Sequence, residues 1–269
     1  MKSGKISVIV AVLFYLISLS AYAAPQPIKT PSEGIVETGQ QIAQVRFMLE
    51  VYSVIGTGIK YHKPRERLTR AIETFEQTLA NLQQVENPAI QKAAAKAQEA
   101  WKPVKKALMS AFEKRDPAAM KKDALTVHAD IRAVIVELEK IKDLFLQQAK
   151  FAHAPQINAA IEIAASARRL SSHYMMKMWG VPDPTIDEHW NNGMKKYQAA
   201  LKELESSPVS KDPVIAPLLK TCDNEYKYFQ TISDLGDDFV PVLVERHAKK
   251  IYETADKMVL HLLEMDKKK

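Results

Sequence analysis

The amino-acid sequence predicts an all-α protein made of two tandem four-helix bundle units. It is rich in Ala, Leu, Glu, Lys and Gln, which favour helices, and has only eight Gly in 269 residues. Apolar residues recur every three or four positions, as they do from Leu68 to Leu82, which is typical of helices with one buried face. The prolines stand mostly between such stripes, where a helix start tolerates them.

Short connections join the predicted helices, so we expect neighbouring helices to run antiparallel. Asp116-Pro117 and Asp183-Pro184 resemble caps placed just before a helix start. Pro103 falls inside a segment, where it predicts a kink. The eight predicted helices are 32–58, 65–85, 89–114, 118–151, 155–179, 185–205, 212–234 and 238–265.

An internal repeat of 122 residues divides these helices into two sets of four. Tyr52 in the first helix corresponds to Tyr174 in the fifth, and both helices end near a glycine that precedes a proline-containing turn. Trp101 and Tyr226 match in the third and seventh helices, where we expect each to anchor a core. The repeat predicts a first unit over 24–153 and a second over 154–269.

Residues 1–23 have the order of a cleaved signal peptide. Two lysines precede an apolar run over 6–19, and Ala21 and Ala23 are the small residues that a signal peptidase reads. The alternative is a retained membrane anchor, but the run of about 14 residues is shorter than the ~20 that a spanning helix requires. We therefore expect export to the periplasm, with a mature chain that begins near Ala24.

Charge and cysteine content argue against several classes of protein. The formal net charge of +6 is spread along a chain that ends in three lysines, a pattern typical of a solvated terminus. Cys222 is the single cysteine, so there is neither an internal disulfide nor a Cys-x-x-Cys-His motif for covalent haem. We expect no nucleic-acid partner, and no membrane span after the signal peptide is removed.

A motif order found in both halves resembles a known family. The segment 35–52 carries arginine and then tyrosine, 75–82 reads Phe-Glu-Gln-Thr-Leu-Ala-Asn-Leu, and 157–170 repeats the first block. This order resembles the N-terminal sensory domain of type IV pilus methyl-accepting chemotaxis transducers, the PilJ-type domain. It is similar also to the periplasmic domain of nitrate/nitrite sensor kinases. Ile42 and Ala164 stand where the family block has its leading arginine.

The resemblance implies a small-anion site at arginines of the first helix in each unit. The second copy keeps Asn158 and has Arg169 at the family's second arginine position, where the first copy has Phe47. A guanidinium offers a planar fork that suits oxyanions and carboxylates. We expect Arg169 to face the bundle centre and Arg168 to face solvent or a second subunit, with Arg46 as the weaker equivalent. The alternative is a structural role, such as an ion pair of Arg46 with an acid four residues later.

Metal, haem and catalytic signals are weak. His173 with Met175, Met176 and Met178 offers ligands for copper(I), but a methionine stripe is more often core. A non-covalent haem between opposed helices is a further alternative that no spacing supports. The sequence has no Gly-x-Ser-x-Gly, phosphate loop or His-Glu-x-x-His motif. We expect no metal, no cofactor and no enzymatic activity.

Two functions are consistent with these features. The first is a periplasmic sensory or ligand-binding module that binds a small anion and passes a signal to a separate protein partner. The second is an interaction or structural protein, with a protein partner or as a homo-oligomer, that keeps the bundle but has a degenerate ligand site.

Overall fold

The computed structural model describes residues 28–113, 116–233 and 238–267, and within them it has eight α-helices and no strand. The predicted all-α class is confirmed, and each predicted helix boundary lies within four residues of the observed one. The α-helices are α1 (Pro31–Gly56), α2 (Pro64–Gln83), α3 (Pro88–Ser110), α4 (Pro117–Gln148), α5 (Ala154–Trp179), α6 (Ile186–Ser206), α7 (Ile215–Ser233) and α8 (Pro241–Lys267). The signal peptide predicted at 1–23 lies outside the described residues.

Helix starts follow the proline and cap signals of the sequence. Thr30 caps α1 in a capping box, since its hydroxyl accepts from the backbone N–H of Glu33 at 3.2 Å and the Glu33 carboxylate accepts from the N–H of Thr30 at 3.1 Å. Asp116 caps α4 by accepting from the N–H of Ala118 at 3.1 Å, as predicted. Pro103 lies inside α3.

The connection between α5 and α6 differs from the prediction. Gly180 ends α5 in the left-handed region, with a φ of 68°, which glycine adopts without strain. The N-cap residue of α6 is Thr185, so the prediction that Asp183-Pro184 caps this helix is wrong. The Asp183 carboxylate instead accepts from the N–H of Thr185 at 2.9 Å and from its hydroxyl at 2.6 Å. These bonds fix the carboxylate beside α4.

Helices α1 and α5 lie at the centre of the molecule and pack extensively on each other. Apart from each other, α1 packs mainly on α2 and α4, and α5 packs mainly on α6 and α8. Both helices are therefore buried on most of their faces, and one continuous hydrophobic core includes residues from all eight helices. The division into homologous units at 153/154 stays a prediction.

Glycine permits the close approach of α1 and α5. A Cβ atom on Gly39 would overlap the side chain of Ile161, and one on Gly56 would overlap the ring of Trp179. Away from this contact, Trp101 is buried against Phe75, with ring centroids 4.4 Å apart. No helix of the described residues combines the length and apolarity needed to cross a membrane.

Candidate functional site

Arg168 and Arg169 are adjacent on α5 but lie in different surroundings. Arg168 is buried, and its Nη1 donates to Glu50 Oε2 on α1 at 3.4 Å. The expectation that Arg168 faces solvent or a second subunit is therefore wrong, because α1, α6 and α8 surround α5. Arg169 is half-buried and lines a different cleft.

We call this cleft, between α1, α4, α5 and α6, the arginine cleft. It has a volume of about 360 Å³ and an apolar wall that includes Leu49, Ile131 and Ile135. Gly193 on α6 leaves room for the stem of Arg169, since a Cβ there would lie 3.2 Å from Arg169 Cδ. The charged residues that line the cleft are Arg46, Arg132, Glu139, Arg169, Lys195 and Lys196.

Positive charge dominates the arginine cleft. Among the described residues that line it, Glu139 is the single carboxylate. The Arg169 guanidinium makes no hydrogen bond or ion pair within the described part of the chain. Burial lowers its pKa, against the nearby carboxylates of Glu162 and Glu139. The cleft therefore presents a cationic fork without a direct internal partner.

Arg46 is held in the cleft wall by a neutral acceptor. Its Nη1 donates to the backbone carbonyl of Ala165 at 2.8 Å, and only 4% of the residue is exposed. Burial, aided by repulsion from Arg169, lowers the pKa of Arg46 to about 9. Burial alone would raise the pKa of Glu162, but the charges of Arg46 and Lys196 hold it below the usual 4.5. Glu162 thus offsets part of the positive charge.

Three histidines meet at one end of the arginine cleft. His128 Nδ1 lies 3.2 Å from Asp183 Oδ2, and His128 Nε2 lies 3.3 Å from His173 Nε2. His189, at the start of α6, completes the group, with its ring centroid 5.2 Å from that of His128 and 5.5 Å from that of His173. Its Nε2 also lies 3.1 Å from Nη1 of the exposed Arg132.

The hydrogen bonds assign the tautomers of the two buried rings. An ionised Asp183 can only accept, so His128 carries its proton on Nδ1 and its Nε2 accepts from His173 Nε2–H. His173 Nδ1 is then an unprotonated nitrogen, and it is buried with no partner. Burial lowers the pKa of His128, His173 and His189, so all three imidazoles are neutral at pH 7.

A second cleft, which we call the paired cleft, lies between α1, α2, α5 and α8 and has a volume of about 340 Å³. The Arg168 guanidinium there lies over the rings of Phe47 and Tyr252, at 4.7 Å and 5.3 Å from their centroids. Arg67 forms an ion pair with Glu245 across the same cleft. The buried charge in the paired cleft is thus neutralised by the protein itself.

The remaining sequence-predicted residues do not join the arginine cleft. Asn158 lies on α5 eleven residues before Arg169, which is about 16 Å along the helix, and it does not line the cleft. The structure does not support the copper grouping either, because Met175 and Met176 are fully buried core residues and His173 contacts His128 instead. Sequence motifs did not indicate His128, Arg132 or His189: the first two are four residues apart on α4, but His189 lies 57 residues beyond Arg132.

Comparisons with protein-family models, with curated proteins and with solved structures find no match to this chain. The resemblance to PilJ-type sensory domains therefore stays a prediction from the sequence motifs.

Proposed function

We propose that the arginine cleft binds a small anion and that the protein is a periplasmic, non-enzymatic sensory or ligand-binding module. One observation carries this proposal. The half-buried Arg169 guanidinium enters the cleft without a hydrogen bond or ion pair from the described residues. Removing a charged group from water without a partner is costly, so an anion that pairs with Arg169 gains more than it would at an exposed arginine.

The shape and charge of the cleft favour a carboxylate or an oxyanion. Arginine binds such groups through two parallel hydrogen bonds. Arg46, Lys195 and Lys196 add positive charge around Arg169, and a cleft lined by one sign of charge concentrates the opposite ion. A volume of about 360 Å³ lies at the lower end of the range for small-molecule sites.

The position of the cleft suits a sensory role. Its arginines come from the two central helices, Arg46 from α1 and Arg169 from α5, and α4 and α6 supply the other walls. An anion held by both arginines therefore adds contacts between the two sets of helices. In this proposal a separate protein partner reads the change, as the resemblance to chemotaxis-transducer and nitrate/nitrite-sensor domains implies.

The paired cleft favours the alternative, an interaction or structural protein with a degenerate site. There Phe47 stands where Arg169 stands in the second copy, and Arg67 and Arg168 are already paired with acids. If the arginine cleft bound no anion, the protein would be best explained as a helical scaffold for a protein partner or a homo-oligomer.

A thermal-shift screen of the mature protein against nitrate, nitrite, phosphate and small organic acids tests the proposal. An anion present at 100 times its dissociation constant should stabilise the protein by about 2.7 kcal/mol. Arg169→Ala should remove the shift, whereas Arg169→Lys, which keeps the charge but loses the fork, should leave part of it.

Arg70→Ala is the matched control, because Arg70 is an exposed arginine of the paired cleft. It should leave the anion-induced shift unchanged. Equal shifts in wild type and Arg169→Ala would place the anion elsewhere. The absence of any shift at millimolar concentrations would favour the scaffold alternative.

Export is tested separately by the intact mass of protein recovered from the periplasm. Cleavage after the Ala21-Tyr22-Ala23 tripeptide should give a chain that begins at or near Ala24. Full-length chain retained in the membrane fraction would contradict the proposed localisation.

A further inference from the structure

At the end of the arginine cleft, His128, Asp183 and His189 each offer one ligand atom, and the three atoms lie within 4.8 Å of one another. We propose that these residues bind a divalent first-row transition-metal ion such as Zn²⁺. The three come from different elements: α4, the α5–α6 connection and the first turn of α6. The proposal is independent of anion binding at Arg169.

The spacing of the first two ligands matches a metal site. Tetrahedral Zn²⁺ with bonds of about 2.0–2.2 Å places neighbouring ligand atoms about 3.3–3.6 Å apart. His128 Nδ1 and Asp183 Oδ2 are 3.2 Å apart. His189 is half-buried at a helix start, and its ligand atom lies within 4.8 Å of those of His128 and Asp183. Shortening these separations to about 3.6 Å would complete the set.

The neighbours of the ligands already hold them in place, as the outer partners of metal ligands do. Asp183 Oδ1 accepts two hydrogen bonds from Thr185, which leaves Oδ2 to face His128. His128 Nε2 lies 3.3 Å from His173 Nε2, so the second nitrogen of the ligand ring has a fixed partner.

His173 also accounts for the proton that metal binding displaces. Without a metal, His128 carries its proton on Nδ1 and accepts from His173 Nε2–H. When His128 Nδ1 binds the ion, its proton resides on Nε2 and is donated to His173 Nε2, and the His173 proton passes to Nδ1. Both rings stay neutral, at the cost of a buried His173 Nδ1–H that has no acceptor among the described residues.

Two imidazoles and one carboxylate form a donor set for Zn²⁺, Co²⁺ or Fe²⁺, not for Ca²⁺ or Mg²⁺, which prefer oxygen. Arg132 opposes the ion, because its Nη1 lies 3.1 Å from His189 Nε2 and carries positive charge. Removing this arginine should therefore tighten metal binding, an effect that a purely structural histidine cluster would not produce.

Calorimetric titration of the mature protein with Zn²⁺, and the visible absorption of bound Co²⁺, test the site. We expect one ion per chain and a tetrahedral Co²⁺ spectrum. His189→Ala and Asp183→Asn should each weaken Zn²⁺ binding at least tenfold, since even an outer partner of a metal ligand contributes ten- to a hundredfold. Arg132→Ala should strengthen binding.

His62→Asn is the matched control, because His62 is an exposed histidine of the paired cleft, and asparagine tolerates its positive φ of 50°. It should leave Zn²⁺ affinity unchanged. Unchanged affinity in both His189→Ala and Asp183→Asn, or no binding at 100 µM Zn²⁺, would overturn the proposal.

Discussion

The arginine cleft and the paired cleft are both bounded by α1 and α5, but the α5 arginines in the two clefts differ in their partners. In the paired cleft Arg168 lies between two aromatic rings and donates to Glu50. In the arginine cleft Arg169 has neither an aromatic platform nor a direct carboxylate partner among the described residues. The same residue type therefore serves stability in one cleft and is available to a ligand in the other.

A single position accounts for much of this difference. Phe47 in α1 corresponds by the 122-residue repeat to Arg169 in α5. The Phe47 ring supports Arg168 and also Arg67, whose Cζ lies 4.9 Å from its centroid. At the position of Arg169, which has no direct partner among the described residues, the first copy has the Phe47 ring, and this ring packs against two arginines of the paired cleft.

The largest expected effect is on stability and belongs to the paired cleft. Arg168→Ala leaves Glu50, which has no exposed surface, without its cation, and breaking a buried pair in this way costs about 3–5 kcal/mol. Urea unfolding followed by circular dichroism measures the loss. Arg168→Ala should reduce the anion affinity of the arginine cleft less than Arg169→Ala does.

The matched variant for this pair replaces both charges by apolar residues of similar size. Arg168→Met combined with Glu50→Leu should recover most of the lost stability, because no unpaired charge stays buried. A loss below about 1 kcal/mol for Arg168→Ala alone would show that the ion pair contributes little.

The second prediction is that Arg169 matters for anion binding and not for stability. Arg169→Ala should lower the affinity for a bound anion ten- to a hundredfold, which corresponds to the ~1.5–3 kcal/mol of a charged hydrogen bond. Its effect on the free energy of unfolding should stay below about 1 kcal/mol, because no internal partner of Arg169 is lost. Calorimetric titration and urea unfolding of the same sample give both numbers. A large destabilisation without loss of affinity would reverse the contrast between the clefts.

The third prediction concerns the aromatic platform. Phe47→Leu keeps an apolar side chain but removes the ring beneath Arg67 and Arg168, and it should reduce the free energy of unfolding by about 1–2 kcal/mol. In an Arg168→Met, Glu50→Leu background the same change should have a smaller effect, since only one cation then remains over the ring. Equal losses in both backgrounds would mean that the contact between Arg168 and the Phe47 ring contributes nothing to stability.

The smallest effect is the pH dependence that Glu162 gives to the arginine cleft. Its folded-state pKa lies below 4.5 because Arg46 and Lys196 favour the carboxylate in spite of burial. A lowered pKa stabilises the fold at pH values above 4.5, and that contribution is lost as the pH falls through the folded-state pKa. Glu162→Gln should therefore be less stable than wild type at pH 7, and the gap should close in acid. A gap that stays constant from pH 7 to pH 3 would exclude this electrostatic role.

Proline and cap signals in the sequence predicted the helices well, but one predicted cap, at Asp183, was wrong. Asp116 caps α4 as expected, whereas Asp183 does not cap α6. Both precede a proline, so the sequence around them does not separate the two cases. The Asp183 carboxylate turns to Thr185 and His128, and the second of these partners is 55 residues away.

The arginine assignments show the same division. The family-like motif singled out Arg169, and the structure places that residue in the arginine cleft. The motif gave no indication that Arg168 is buried, because the burial of Arg168 depends on how α1, α6 and α8 pack around α5. Asn158, chosen from the same motif, is separated from Arg169 by the length of the helix between them.

The sequence by itself determined that the chain forms α-helices and where they begin, because proline, caps and apolar periodicity act over a few residues. Tertiary structure alone decided which helices surround α5, which of two adjacent arginines found a carboxylate, and that histidines from α4, α5 and α6 meet beside Asp183. Those outcomes depend on how whole helices pack, and packing is set by contacts between residues far apart in the chain.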